Sequence, residues 1–166
     1  MKVALSFSIL FFLILFALFI FRYKKIETKI IINQDVDRVW QLFKDTQYYS
    51  EWNALFNIER FPTYVGQKIN IDFYDEEKNV KFQIKPEIRK ISKYHLEWEG
   101  KIYINGLFNG RHKFVFNEID ANTTELIHSE EFNGVLVPIL NSFIIQPTKL
   151  NFDKMNTSFK KYVENR

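Results

Sequence analysis

Two histidines and a glutamate offer this chain its best prospect of chemistry: His112, His128 and Glu130. In residues 111–116, alternation puts His112 on one face with Phe114 and Phe116. In residues 126–132 it puts His128 and Glu130 on a face with Leu126 and Phe132. The two segments flank Asp120-Ala121-Asn122, a turn-forming triplet, and so read as a β-hairpin. A hairpin centred near Ala121 pairs residues whose numbers sum to about 242, setting His112 against Glu130 and Phe114 against His128. An imidazole beside a carboxyl group among aromatics suits general acid–base catalysis, because burial and a close partner move both pKa values. The same pair equally suits a structural hydrogen bond between buried polar groups, or the orientation of a bound ligand.

Other chemistries find less support. His112, His128 and Glu130 form a weak two-histidine, one-carboxylate set, but no H-x-x-x-H, HExxH or cysteine cluster accompanies it, and no metal is expected. His95 alternates with Leu96 and Trp98 and is expected to point outward. Gly106 and Gly110 lack the context of a phosphate-binding loop, and there is no G-x-S-x-G elbow. No cofactor is implied.

Several elements must position these residues. Residues 26–33 read as a strand with Thr28, Ile30 and Ile32 on one face. Asn33 and Asp35 are candidate caps for a short helix that presents Val36, Val39, Trp40 and Phe43. Strands follow at residues 58–61, 68–74, 80–91 (where Pro86 suggests a bulge or an edge) and 94–103, before the hairpin. The period then becomes helical. Leu136, Ile139, Leu140, Phe143 and Ile144 form one expected inner face. It continues after Pro147, which should kink the helix or divide it in two, through Leu150, Met155, Phe159 and Val163. An antiparallel sheet needs one face covered, and this helix alone is long enough. The expected class is therefore α+β, a curved antiparallel sheet wrapped around a C-terminal helix. The space between them is a natural ligand site. The aromatics expected to face inward are Trp52, Trp98, Phe73, Phe82, Phe114, Phe116, Phe132 and Phe143.

The N-terminal residues read differently. Residues 3–21 carry no charge, and about 19 residues make a helix of roughly 28 Å, close to the hydrocarbon thickness of a bilayer. Lys2 precedes the run, and Arg22, Tyr23, Lys24 and Lys25 close it. The run ends without the small-residue pattern of a cleavage site. The expected organisation is a single-pass membrane anchor at residues 1–23 and one domain at residues 24–166. The basic flank places that domain on the cytoplasmic side. Net charge is +3, with acidic and basic residues interspersed, so no nucleic-acid-binding face is expected. There is no cysteine and hence no disulfide or thiolate chemistry.

From residue 26 to residue 164 the chain resembles the SRPBCC superfamily, the START-related group of polyketide cyclases, lipid-transfer proteins and pollen-allergen-like proteins. The resemblance rests on IETKIIINQDVDRVWQLFKD, YYSEWN, HLEWEGKI, GRHKFVF, TELIHSEEFNGVLVPIL and FDKMNTSFKKYVE, in that order and spacing. The HSEEFNGVLVPIL block looks like the signature of a bacterial subgroup whose members mostly lack an assigned function. Ala54 stands where that subgroup tends to have proline. The resemblance implies a helix-grip fold. The expected function is the binding of an apolar or amphipathic small molecule, such as a lipid or isoprenoid, in an internal cavity without turnover. Its contacts would be Trp52, Trp98, His112, Phe114, Phe116, His128, Glu130, Phe132 and Phe143. The alternatives are a cyclase- or dehydratase-like enzyme using His112 and Glu130, and a protein-interaction module whose cavity is filled by side chains.

Overall fold

The computed structural model describes residues 12, 16, 22–74, 79–101 and 103–166. Among these residues no helix is long and apolar enough to cross a membrane. The apolar run at residues 3–21, expected to be the anchor, lies outside the described residues except for Phe12 and Phe16, both helical and exposed.

From Tyr23 onward the described residues form eight strands and four α-helical segments. β1 (Tyr23–Ile32) leads into α1 (Val36–Lys44), a 3-10 turn (Thr46–Tyr48) and the short α2 (Tyr49–Trp52). Next come β2 (Phe56–Ile58), β3 (Ile71–Tyr74), β4 (Val80–Ile84), β5 (Glu87–Ser92), β6 (His95–Lys101), β7 (Asn109–Asp120) and β8 (Thr123–Asn133). The chain ends with α3 (Val137–Leu140), a π-helical turn (Asn141–Ile145) and α4 (Gln146–Glu164).

The strands form a five-stranded antiparallel sheet, β1-β8-β7-β6-β5, and a three-stranded one, β2-β3-β4. The segment expected as one strand at residues 80–91, with a bulge or edge at Pro86, is thus two strands, in different sheets. Pro86, which lacks an N–H, sits where the ladder breaks between them. The hairpin register is as expected: His112 faces Glu130 and Phe114 faces His128. Asp35 caps α1, its Oδ1 accepting from the Arg38 N–H at 2.8 Å.

The inner face of the larger sheet and the inward faces of α1 and α4 make the main core. Trp40 and Phe43 of α1 pack on Phe116, and Phe159 of α4 packs on Phe43 and Trp52. A second, smaller cluster (Ile26, Phe108, Phe132, Val137, Ile145 and Phe152) lies under α3 and the π turn.

The expected inner face of the last helix is displaced. Ile139 and Leu150 are exposed, and Phe143 is 80% exposed, so Phe143 is not among the inward-facing residues. Val137, Ile145 and Phe152 point inward instead, spaced eight and then seven residues apart. The extra residue is the π turn, closed by the Gln146 N–H donating to the Asn141 carbonyl. Pro147 has no N–H to give the Phe143 carbonyl, so α-helical bonding fails there and the face turns by about 100°. Phe82 is corrected too: it is half exposed and stacks on Phe73 at 4.6 Å, in the outlying sheet.

Candidate functional site

A row of side chains crosses the inner face of the larger sheet. Ile26, Glu130, His112, Trp98 and Ile88 are neighbours on β1, β8, β7, β6 and β5. The next row is Thr28, His128, Phe114 and Leu96. The polar residues therefore occupy adjoining positions in two apolar rows, as strand alternation dictates. α4 lies over them and supplies Phe152 and Asn156.

Aromatic rings clamp both imidazoles. His128 stacks on Phe152 at 3.6 Å and on Phe114 at 4.2 Å; His112 stacks on Trp98 at 4.5 Å. Burial drives the His128 pKa down to about 3, and burial together with the neighbouring His128 holds His112 well below its ordinary value. Both rings are neutral at physiological pH.

Their hydrogen bonds fix the tautomers. Asn156 Nδ2 donates to Thr28 Oγ1 at 2.8 Å, which leaves Asn156 Oδ1 to accept from His128 Nδ1–H at 2.9 Å. The Nε2 atom of neutral His128 must then be an acceptor, and it takes the His112 Nε2–H at 2.6 Å. His112 Nδ1 is left bare. It faces Glu130 Oε2 at 3.7 Å, too far for a direct hydrogen bond but close enough for a small shift to complete the chain. The two Nε2 atoms are too close to hold a metal ion between them, since each metal–nitrogen bond alone needs about 2.0–2.1 Å. Among the described residues no cluster could hold a metal.

Glu130 stands at the open end of this chain, with 17% of its side chain accessible. Burial pushes its pKa up to about 8, so it is a neutral acid at pH 7, matched to the bare His112 Nδ1. The pair is thus an acid and a base, both uncharged, and not an ion pair. Gly110 makes room for the carboxyl: a Cβ there would lie 2.6 Å from Glu130 Oε1.

Of the residues expected at the site, the structure brings His112, His128, Glu130, Trp98 and Phe114 together. Phe132 sits beside Glu130 in the smaller cluster. Trp52 and Phe116 are buried in the main core around Phe43 and Phe159, and Phe143 is on the outside. His95 is on the outer face as expected, near Glu97 at 3.5 Å. Two partners escaped sequence reasoning, Thr28 and Asn156. A signal for Asn156 existed: it is a polar residue on the apolar stripe of Phe152, Phe159 and Val163. Two surface concavities lie elsewhere. One, of about 480 Å³, adjoins Gly100, Ile84 and Pro86; the other, of about 390 Å³, is at the C-terminal end of α4.

No family profile and no curated protein matches the chain in sequence. Solved structures do match in fold. The Zhui aromatase/cyclase from Streptomyces sp. R1128 superimposes with a TM-score of 0.67 at 12% identity, over 87% of this chain and 95% of that one. Norcoclaurine synthase from Thalictrum flavum, solved with dopamine and hydroxybenzaldehyde, gives 0.64 at 12% identity, over 87% and 88%. A START superfamily protein from Mycobacterium smegmatis gives 0.61 at 9% identity, over 85% and 97%. The fold is the helix-grip fold. At these identities the likeness concerns architecture alone, and the helix-grip domain's own residues must carry any functional argument.

Proposed function

We propose that this protein is a membrane-tethered helix-grip domain that binds an apolar or amphipathic small molecule, with the ligand's polar group held by Glu130 and His112. The observation that carries this reading is a neutral carboxyl group, its pKa raised to about 8, set between apolar clusters and 3.7 Å from an unprotonated imidazole nitrogen. Such a pair donates from one member and accepts at the other, which suits a hydroxyl or carbonyl on an otherwise apolar ligand. The ligand's apolar part belongs with the smaller cluster, against Phe132, Phe152 and Ile26, under α3 and the π turn. Trp98 and Phe114 back the imidazoles, while Trp52 and Phe116 serve the core. The apolar run at residues 3–21 supplies the tether, and its basic flank places the domain on the cytoplasmic side.

The test is native mass spectrometry with organic extraction of protein purified from cells. A co-purifying lipid, quinone or isoprenoid that is lost in Glu130→Ala supports the reading. Protein that arrives empty and takes up nothing from added lipid mixtures sinks it, and favours an interaction module with a filled interior. A second reading rests on the same pair: a neutral acid beside a neutral base is equipped for proton transfer in a cyclase- or dehydratase-like reaction. It requires turnover of the bound compound. Turnover that His112→Gln leaves unchanged rules out a catalytic His112.

A further inference from the structure

We propose that an apolar rim formed by Tyr103, Ile104, Val135, Ile139, Phe143 and Leu150 docks on the surface of a phospholipid bilayer, a proposal that rests on the tether reading above. All six side chains are exposed, Phe143 by 80% and Tyr103 by 89%. Ile139, Phe143 and Leu150 lie along the outer side of α3, the π turn and α4, the side that the π turn rotates away from the sheet. Backbone hydrogen bonds bring the 103–108 loop to the same place: the Val135 N–H donates to the Gly106 carbonyl and the Leu136 N–H to the Leu107 carbonyl, both at 3.1 Å. Tyr103 holds a left-handed backbone, φ 57°, an uncommon conformation for a bulky residue that is not repaid here by burial.

Chain continuity identifies the occupant. The uncharged run ends at Phe21. The carbonyl of the next residue, Arg22, accepts the Gly134 N–H at 2.9 Å, one residue before Val135 begins the rim. Whatever surface receives the run therefore lies beside the rim. Lys24 at the exit suits anionic headgroups, and Tyr23 and Tyr103 are the amphipathic aromatics enriched at a lipid–water interface. Exposed apolar side chains gathered at one end of a domain mark an interaction surface. The rim is also the outer side of the cover over the smaller cluster, so docking would place the proposed ligand site against the bilayer.

The native chain has no cysteine, so single-cysteine labelling is unambiguous. The full chain carrying Phe143→Cys, Ile139→Cys or Ile104→Cys would take an environment-sensitive fluorophore. Each is reconstituted in vesicles of phosphatidylcholine and phosphatidylglycerol containing nitroxide-labelled lipid. Ile119→Cys is the control, exposed near the hairpin turn and ten residues along β7 from Asn109, about 33 Å at roughly 3.3 Å per residue. Docking predicts quenching at positions 143, 139 and 104 several-fold above that at 119. Quenching no greater than at 119, in protein that resists carbonate extraction, overturns the rim and leaves the tether standing. Fluorescence that changes with protein concentration and ignores the nitroxide shows a second copy on the rim and also overturns it. Release of the chain by carbonate overturns the tether and the rim together.

Discussion

At the scale of single residues, the hydrogen-bond chain makes sharp demands. Asn156 is 2% exposed and accepts the His128 Nδ1–H. Asn156→Leu keeps the branched shape but leaves that donor without an acceptor and removes the bond to Thr28, so unfolding free energy should drop by about 1–3 kcal/mol in urea titrations. Gly110→Ala acts differently. Its methyl group meets the far end of the Glu130 side chain, which can move, so the cost in stability is small. The displaced carboxyl should titrate closer to its ordinary value of 4.5 than to about 8, as followed by carbon-13 NMR of labelled glutamate. A titration that stays near 8 would mean the carboxyl does not depend on the space beside Gly110. The pairing of His112 with Glu130 was legible in the sequence because alternation and turn chemistry are local. The roles of Thr28 and Asn156 were not, since they lie 128 residues apart and no local pattern says which strand a helix face will meet.

At the scale of elements, the segment from Gly134 to the π turn sets the character of the site. Gly134 has φ 139°, and a Cβ there would lie 2.4 Å from the Leu107 carbonyl oxygen. Backbone cannot yield as a side-chain tip can. Gly134→Ala should therefore cost about 2–3 kcal/mol or more in chemical denaturation. It should also raise hydrogen exchange in the amides of Val135 and Leu136, whose bonds hold the 103–108 loop. The helical period of this segment was readable and its phase was not. Pro147 announced an irregularity, but a kink, a break and a π turn all follow from a missing N–H. Only the last rotates Phe143 outward and Ile145 inward.

At the scale of the whole molecule, the buried ionisable groups govern how stability depends on pH. Glu130 has its folded pKa raised from 4.5 to about 8, so the folded protein keeps a proton that the unfolded chain releases. Its stabilisation is complete below pH 4.5 and is lost as pH rises through 8. His128, lowered from 6.5 to about 3, and His112, lowered likewise, have the opposite sign: the unfolded chain gains their protons first, and stability falls below pH 6.5. Between pH 4.5 and 6.5 the two histidines outweigh the one carboxyl. Melting temperature should therefore peak near pH 6.5. Above that pH the unfolding free energy should fall by about 2 kcal/mol by pH 8, at roughly 1.4 kcal/mol per pH unit for one proton. Glu130→Gln should flatten the alkaline limb and steepen the fall between pH 6.5 and 4.5, where the carboxyl no longer opposes the histidines. An alkaline limb unchanged in Glu130→Gln would assign the titration to another group.

The sequence by itself determined the class of the fold, the order of its elements and the register of the β7–β8 hairpin, and it narrowed the cap of α1 to Asn33 or Asp35. Each follows from interactions between residues near one another along the chain: alternation, turn propensity, helical period, and a side chain bonding a backbone N–H three residues away. Tertiary structure alone decided the rest. It split residues 80–91 between two sheets and turned Phe143 outward. It joined Thr28, Asn156, His128 and His112 into one directional chain that ends at a neutral Glu130. It also gathered the 103–108 loop, the start of α3 and the exit of the N-terminal run onto one rim. These depend on which distant surfaces meet when the helix closes over the sheet, a choice made by packing and desolvation across the whole domain.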